Sequence, residues 1–104
     1  MGNFNGRIRS VKIRTTSNQN SLLITVEIED TAHSVDKVTV DLPVKATPDP
    51  TQCTLSGDNA GIFMYKGNTV TTKPLNVSCL DVIVNLYDKD NNLLLSETHS
   101  ATVG

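Results

Sequence analysis

The residues that could do chemistry in this 104-residue chain are few. His33 and His99 are the only imidazoles, and neither sits in a recognisable catalytic motif. Cys53 and Cys79 are the only thiols. Two cysteines are too few for a disulfide scaffold and too few for a zinc site. A bond between them is possible if two strands bring them together, whereas in a reducing compartment both stay free and pack as small apolar residues. No serine lies in a Gly-x-Ser-x-Gly elbow, and no glycine-rich loop precedes a Lys-Ser or Lys-Thr pair. Asp88, Asp90 and Asn92 recur at every second residue, like the first half of a calcium loop. The full loop needs Gly at its sixth position and Glu at its twelfth, to turn sharply and return a bidentate carboxylate. Leu93 and His99 stand there, so the stretch reads as an acidic turn. The chain is therefore expected to be no enzyme, with no metal or cofactor.

Charge offers a second candidate. Residues 1–14 carry +4 through Arg7, Arg9, Lys12 and Arg14, while the remaining ninety carry −6. This basic edge could dock on an anionic surface. Alternatively, if the first two strands form a hairpin, the same cations face Glu27 and Glu29, and each opposite-charge pair contributes about 0.2–1 kcal/mol. Lys and Arg also guard exposed sheet edges. The overall charge of −2, the sequence pI of 5.5, the absence of Trp and the presence of only four aromatics argue against nucleic acid as a partner. No apolar run reaches the length that spans a bilayer, so no membrane insertion is expected. The first six residues lack the basic and apolar regions of a secretory signal, and Gly6 stands where a myristoylation motif wants Ser or Thr. A virion or cytoplasmic location is favoured over a secreted one.

The elements that must position these residues read as strands. Leu22, Ile24, Val26 and Ile28 alternate with Thr25, Glu27 and Glu29, the period of a half-buried strand. Val38, Val40 and Leu42 repeat the pattern before Pro43. In Arg7–Arg14, Ile8 has one parity and Val11 and Ile13 the other. A β-bulge near Arg9-Ser10 would bring all three to one face and the four cations to the opposite one. Pro48 and Pro50 mark an extended, irregular crossing. Gln52 to Ser56 is expected as a short strand burying Cys53 and Leu55, followed by a turn over Gly57–Gly61. Ile62–Tyr65 is another short strand, with a turn at Gly67-Asn68 and a weaker strand over Val70–Lys73. Residues 1–6 and 101–104 are expected as a loosely ordered arm and tail. Turn signals every 8–12 residues with no helical period suggest a single all-β domain, a sandwich or a barrel, and at this length an Ig-like or fibronectin-type antiparallel β-sandwich of seven to eight short strands over 1–104 is the default expectation.

The strongest signal is the hairpin from Leu80 to Thr98. Val82, Val84 and Leu86 alternate with Ile83, Asn85 and Tyr87; Asp88-Lys89-Asp90-Asn91-Asn92 turns the chain, and Leu93-Leu94-Leu95 resumes it. The run Val84–Leu94 resembles the late hairpin of many bacterial and viral Ig-like domains, in which a strand ending in Tyr-Asp meets an acidic turn and a Leu-rich strand. It departs at Asn91, where Gly is commoner. The turn type decides which leucines face inward. A three-residue turn over Lys89–Asn91 puts Leu94 inside, with Leu93 and Leu95 outside; a two-residue turn over Asp90-Asn91 reverses them. Ile83, Tyr87, Leu93 and Leu95 form the candidate partner-contact face. The expected function is a non-enzymatic structural or protein-interaction module, with a protein partner or self-assembly. By fold-level analogy it suits a bacteriophage or viral virion component, such as a capsid decoration or tail protein. The alternative is an extracellular bacterial adhesin or carbohydrate-binding module excised from a larger protein.

Overall fold

A computed structural model describes residues 4–59 and 61–104, with backbone alone described for 54–59. Met1–Asn3 of the expected arm, Ala60 of the expected turn and the burial of Leu55 lie outside the described residues. The fold is all-β, with strands β1 (Arg7–Thr15), β2 (Ser21–Glu29), β3 (Lys37–Asp41), β4 (Ala46–Thr47), β5 (Thr51–Asn59), β6 (Ile62–Thr71), β7 (Cys79–Tyr87) and β8 (Leu93–Val103). Alternation dictates the core. Leu22, Ile24, Val26 and Ile28 of β2 are buried, as are Val38 and Val40 of β3 and Val82, Val84 and Leu86 of β7. In β1 the register shifts between Ile8 and Ser10, which buries Ile8, Val11 and Ile13 together and leaves Arg7, Arg9, Lys12 and Arg14 exposed.

The strands form one sheet rather than two clearly separate ones. Its order is β2-β1-β8-β7-β3-β5-β6-β4, and β6 returns to pair with β2 from Ser21↔Val70 to Glu29↔Ile62. The result is nearly closed and barrel-like, and not clearly the two-sheet sandwich expected from the sequence. The reason is that β3 is bonded on both sides, to β7 and to β5, and that β1 reaches both β2 and β8. Among the described residues every pairing is antiparallel except β1–β8, which is parallel and confined to Lys12↔Thr102 and Ile13↔Val103.

Several local expectations change. Gly67-Asn68 is no turn: β6 runs straight through it, because β2 and β5 flank the strand on either side. A side chain at Gly67 would place its Cβ 2.4 Å from the Gln52 carbonyl oxygen and 3.0 Å from the Cys53 Cα. Glycine is there for the close approach of β5. Gly57 lies within β5 rather than in a turn, and the chain reverses at Gly61, whose φ of +83° suits glycine. Ala101–Val103, expected as a tail, complete β8, and Ala101 is fully buried opposite Leu80. Phe4 of the expected arm packs against the core.

The β2–β3 connection is held by side chains that alternation alone does not single out. Asp30 is buried at the end of β2. Its Oδ1 accepts from the Ser34 backbone N–H at 3.0 Å and its Oδ2 from that of Val35 at 2.9 Å. The Tyr65 hydroxyl, from β6, donates to the Val35 carbonyl at 2.9 Å. Burial first, then the charges of Asp30 and Asp36, push the Tyr65 phenol up to about 12, so it remains a donor at neutral pH.

The fit at Gly67 predicts that Gly67→Ala overpacks the β5–β6 contact and costs about 1–3 kcal/mol. Urea unfolding reads this as a lower midpoint with an unchanged slope.

Candidate functional site

The outer face of β3, β7 and β8 carries the expected contact residues, arranged by register into rows across the strands. Leu93, Tyr87 and Lys37 form one row, since Tyr87 lies opposite both of the others. Ser96, Asn85, Thr39 and Gln52 form the next, and Thr98, Ile83 and Asp41 the one after. Tyr87 and Leu93 are thus brought side by side, whereas Ile83 is separated from them by a polar row. Ile83 is 42% exposed and Leu93 46%.

Leu95 leaves the face. It lies opposite Leu86, on the inner side, and packs against the core. Neither turn considered from the sequence gives this pattern. The register shifts between Leu86 and Tyr87, and Leu94 is the extra residue, so Leu93 points out while Leu95 points in. Asp88 builds the turn that sets this register. One carboxylate oxygen, Oδ1, accepts from the Asn92 and Asp90 backbone N–H groups at 2.9 Å each, and Oδ2 accepts from the Asn92 amide at 3.2 Å. Asn91 takes the left-handed conformation, with φ +65°. The Asn92 backbone bond, its side-chain amide, the Asp90 bond and the Lys89 charge together hold the Asp88 carboxyl below its usual range. Its oxygens serve the turn, and no group of three His, Cys, Asp or Glu residues among those described could hold a metal ion.

The polar row is a closed network. The Asn85 amide donates to Thr39 Oγ1 and to Asp41 Oδ2, both at 3.2 Å, and its Oδ1 accepts from the Ser96 hydroxyl at 2.7 Å. Asn85 and Thr39 are buried although they lie on the outer face. Beside them Lys37 places its ammonium 4.5 Å from the centroid of the Tyr87 ring and donates to Asn91 Oδ1. A cation over an aromatic face contributes about 0.5–1 kcal/mol at an exposed site. Sequence reading passed over Lys37, Thr39 and Asn85. The available signal was Asn85 itself, a residue disfavoured in strands, set between Ile83 and Tyr87.

The basic edge divides. Arg7 pairs with Glu29 at 3.7 Å and Arg9 with Glu27 at 3.3 Å, the cross-strand arrangement that the hairpin reading anticipates. Lys12 and Arg14 lie further along, opposite Thr25 and Leu23, on a shallow groove that Met64 and Lys66 also line. The remaining candidates are scattered. His33 stacks edge-on against Phe63 at 5.1 Å, and His99 contacts Glu97 at 2.9 Å. Both cysteines are free: Cys53 is buried on β5 and Cys79 exposed at the start of β7. Burial pushes the Cys53 thiol up to about 12.

The thiol environments predict that a neutral thiol reagent titrates Cys79 in the native protein, and reaches Cys53 only after unfolding. The Asp88 geometry predicts that Asp88→Ala lowers the melting temperature at pH 7. Because the folded pKa lies below the unfolded one, the carboxylate's contribution is full above about pH 3.8 and disappears as the pH falls through the lower folded value. Thermal melts of the two proteins therefore converge in that acid range.

No protein-family model matches the chain, and no curated protein matches it.

Proposed function

We propose that the chain is a non-enzymatic, Ig-like interaction module that binds a protein partner through the outer face of β3, β7 and β8. The observation that carries this reading is the pre-organised row Leu93–Tyr87–Lys37 beside the closed Asn85 network. An aromatic side chain fixed by a cation, flanked by an exposed leucine and by polar groups already satisfied, binds with little ordering cost. Exposed apolar residues scattered singly are common and need no partner. Here Tyr87 and Leu93 lie side by side next to a hydrogen-bonded polar row, and this favours a recognition surface.

The Ig-like part of the reading is supported by strand order. One arc of the sheet runs β1-β2-β6-β5 and the other β3-β7-β8. These match the two sheets of a constant-type Ig sandwich, taken in chain order. The short β3–β5 and β1–β8 pairings would then be seams that join two sheets. Within this class a virion component, such as a capsid decoration or tail module, is the assignment we favour, on fold-level analogy.

The test is a pull-down and light-scattering comparison of the parent with Tyr87→Glu and Ile83→Asp, each checked for folding by circular dichroism. The expected result is loss of the bound partner with Tyr87→Glu, by about tenfold or more in affinity, as for an interface anchor. Unchanged partner binding in both folded variants would overturn the reading.

A further inference from the structure

Among the described residues, one edge of β8 is unpaired along most of its length. On one side it pairs with β7 from Tyr87↔Leu93 to Cys79↔Thr102, while on the other it meets β1 only at Thr102 and Val103. Among the described residues no strand covers that second side from Leu93 to Ser100. Another edge of the sheet, β4, is two residues long and is followed at once by Pro48 and Pro50, a usual way of blunting an edge. Leu93–Ser100 contains no proline, lysine or arginine.

The backbone parity of this edge is fixed. The Val103 N–H donates to Ser78, on the β7 side, and the Gly104 N–H donates to Ile13, on the β1 side. Backbone groups alternate along a strand, so those of Ser96, Thr98 and Ser100 point away from β7 toward the open edge. Their side chains are exposed hydroxyls on the outer face, small enough for a second strand to approach.

On the inner face the edge carries a carboxylate and an imidazole. Glu97 lies opposite Val84 and His99 opposite Val82, both buried, yet the Glu97 and His99 side chains are 48% and 26% exposed. They therefore stand at the mouth between β8 and the first half of β1, not in the core. Inward-pointing charges guard an edge against foreign strands. They do not guard it against the same strand turned around.

We propose that two copies of the chain pair β8 against β8, antiparallel, about a twofold axis at Thr98. In this register Thr98 faces Thr98 of the second copy and Ser96 faces its Ser100, with their backbone groups aimed at one another. Glu97 then faces His99 across the pair, in the closely spaced, non-hydrogen-bonded positions where side chains approach most nearly, so the 2.9 Å Glu97–His99 contact within each chain becomes part of a four-residue cluster. A shift centred on Glu97 stacks carboxylate on carboxylate, and one centred on His99 sets imidazole against imidazole and leaves Glu97 opposite Ala101. Of these three registers, only the one centred on Thr98 sets the Glu97 carboxylate opposite the His99 imidazole, a hydrogen-bonding partner that it already meets within its own chain. This edge adjoins the β3–β7–β8 face, with which it shares Ser96 and Thr98, but its backbone pairing does not rest on that reading.

Sedimentation equilibrium tests the dimer directly, with protein concentrations taken up to about 1 mM, because a short strand pair forms a small interface of the weak, transient class. The parent is expected to dimerise reversibly. Thr98→Pro removes an N–H that β7 does not use and should weaken association by about tenfold or more while the fold persists. Glu97→Lys alone should also weaken it, and the combined Glu97→Lys and His99→Glu exchange should restore it, as reversal of a matched pair requires. Ile83→Asp should leave the dimer intact, which separates this edge from the proposed partner face. A parent that stays monomeric throughout overturns the proposal. So does a dimer that resists Thr98→Pro, one that Ile83→Asp abolishes, or one that the charge exchange fails to restore.

Discussion

A sheet that wraps around its own core allows each strand one inward face, and the rest of this structure follows from keeping that parity. Side chains alternate at a period of two, so a single unmatched residue sends every later side chain to the wrong side. The chain corrects its parity with irregularities in β1, β5 and β8. In β1 the correction gathers Ile8 with Val11 and Ile13. In β8 it turns Leu95 toward Leu86 and releases Leu93 to the surface. Bulges therefore decide the composition of both the core and the candidate face.

Polar side chains support this arrangement both in the buried interior and on the outer face. Asp30 and Tyr65 hold the β2–β3 connection through the Ser34 and Val35 backbone. Asp88 organises the β7–β8 turn through Asn92 and Asp90. Asn85 ties β7 to β3 and β8 on the outer face. Among the described residues no buried side-chain nitrogen or oxygen lacks a partner, which fits a surface whose geometry is set before anything binds. The surface ion pairs of Arg7 and Arg9 add little by comparison, since exposed pairs are screened.

Much of the fold was legible. The alternation in β2, β3 and β7, the bulge in β1 and the pairing of Arg7 and Arg9 with Glu29 and Glu27 all follow from period-two patterning and local charge. The candidate face was legible only in part. Ile83, Tyr87 and Leu93 lie on the outer side, but the row of Asn85, Thr39 and Ser96 that divides them depends on which strands are neighbours. Gly67 was misread because glycine followed by asparagine marks a turn in isolation. Here the close approach of β5 demands a residue without a side chain in mid-strand.

The amino-acid order by itself determined that the chain is all-β and which faces of most strands are apolar, because alternation is a local property. Tertiary structure alone decided that the sheet nearly closes, since β3 pairs with both β7 and β5 at residues remote in sequence. It also decided the hairpin between Tyr87 and Leu95. The turn residues permitted more than one register, and only the Asp88 hydrogen bonds and the bulge at Leu94 settled that Leu94 and Leu95 pack against the core while Leu93 faces out.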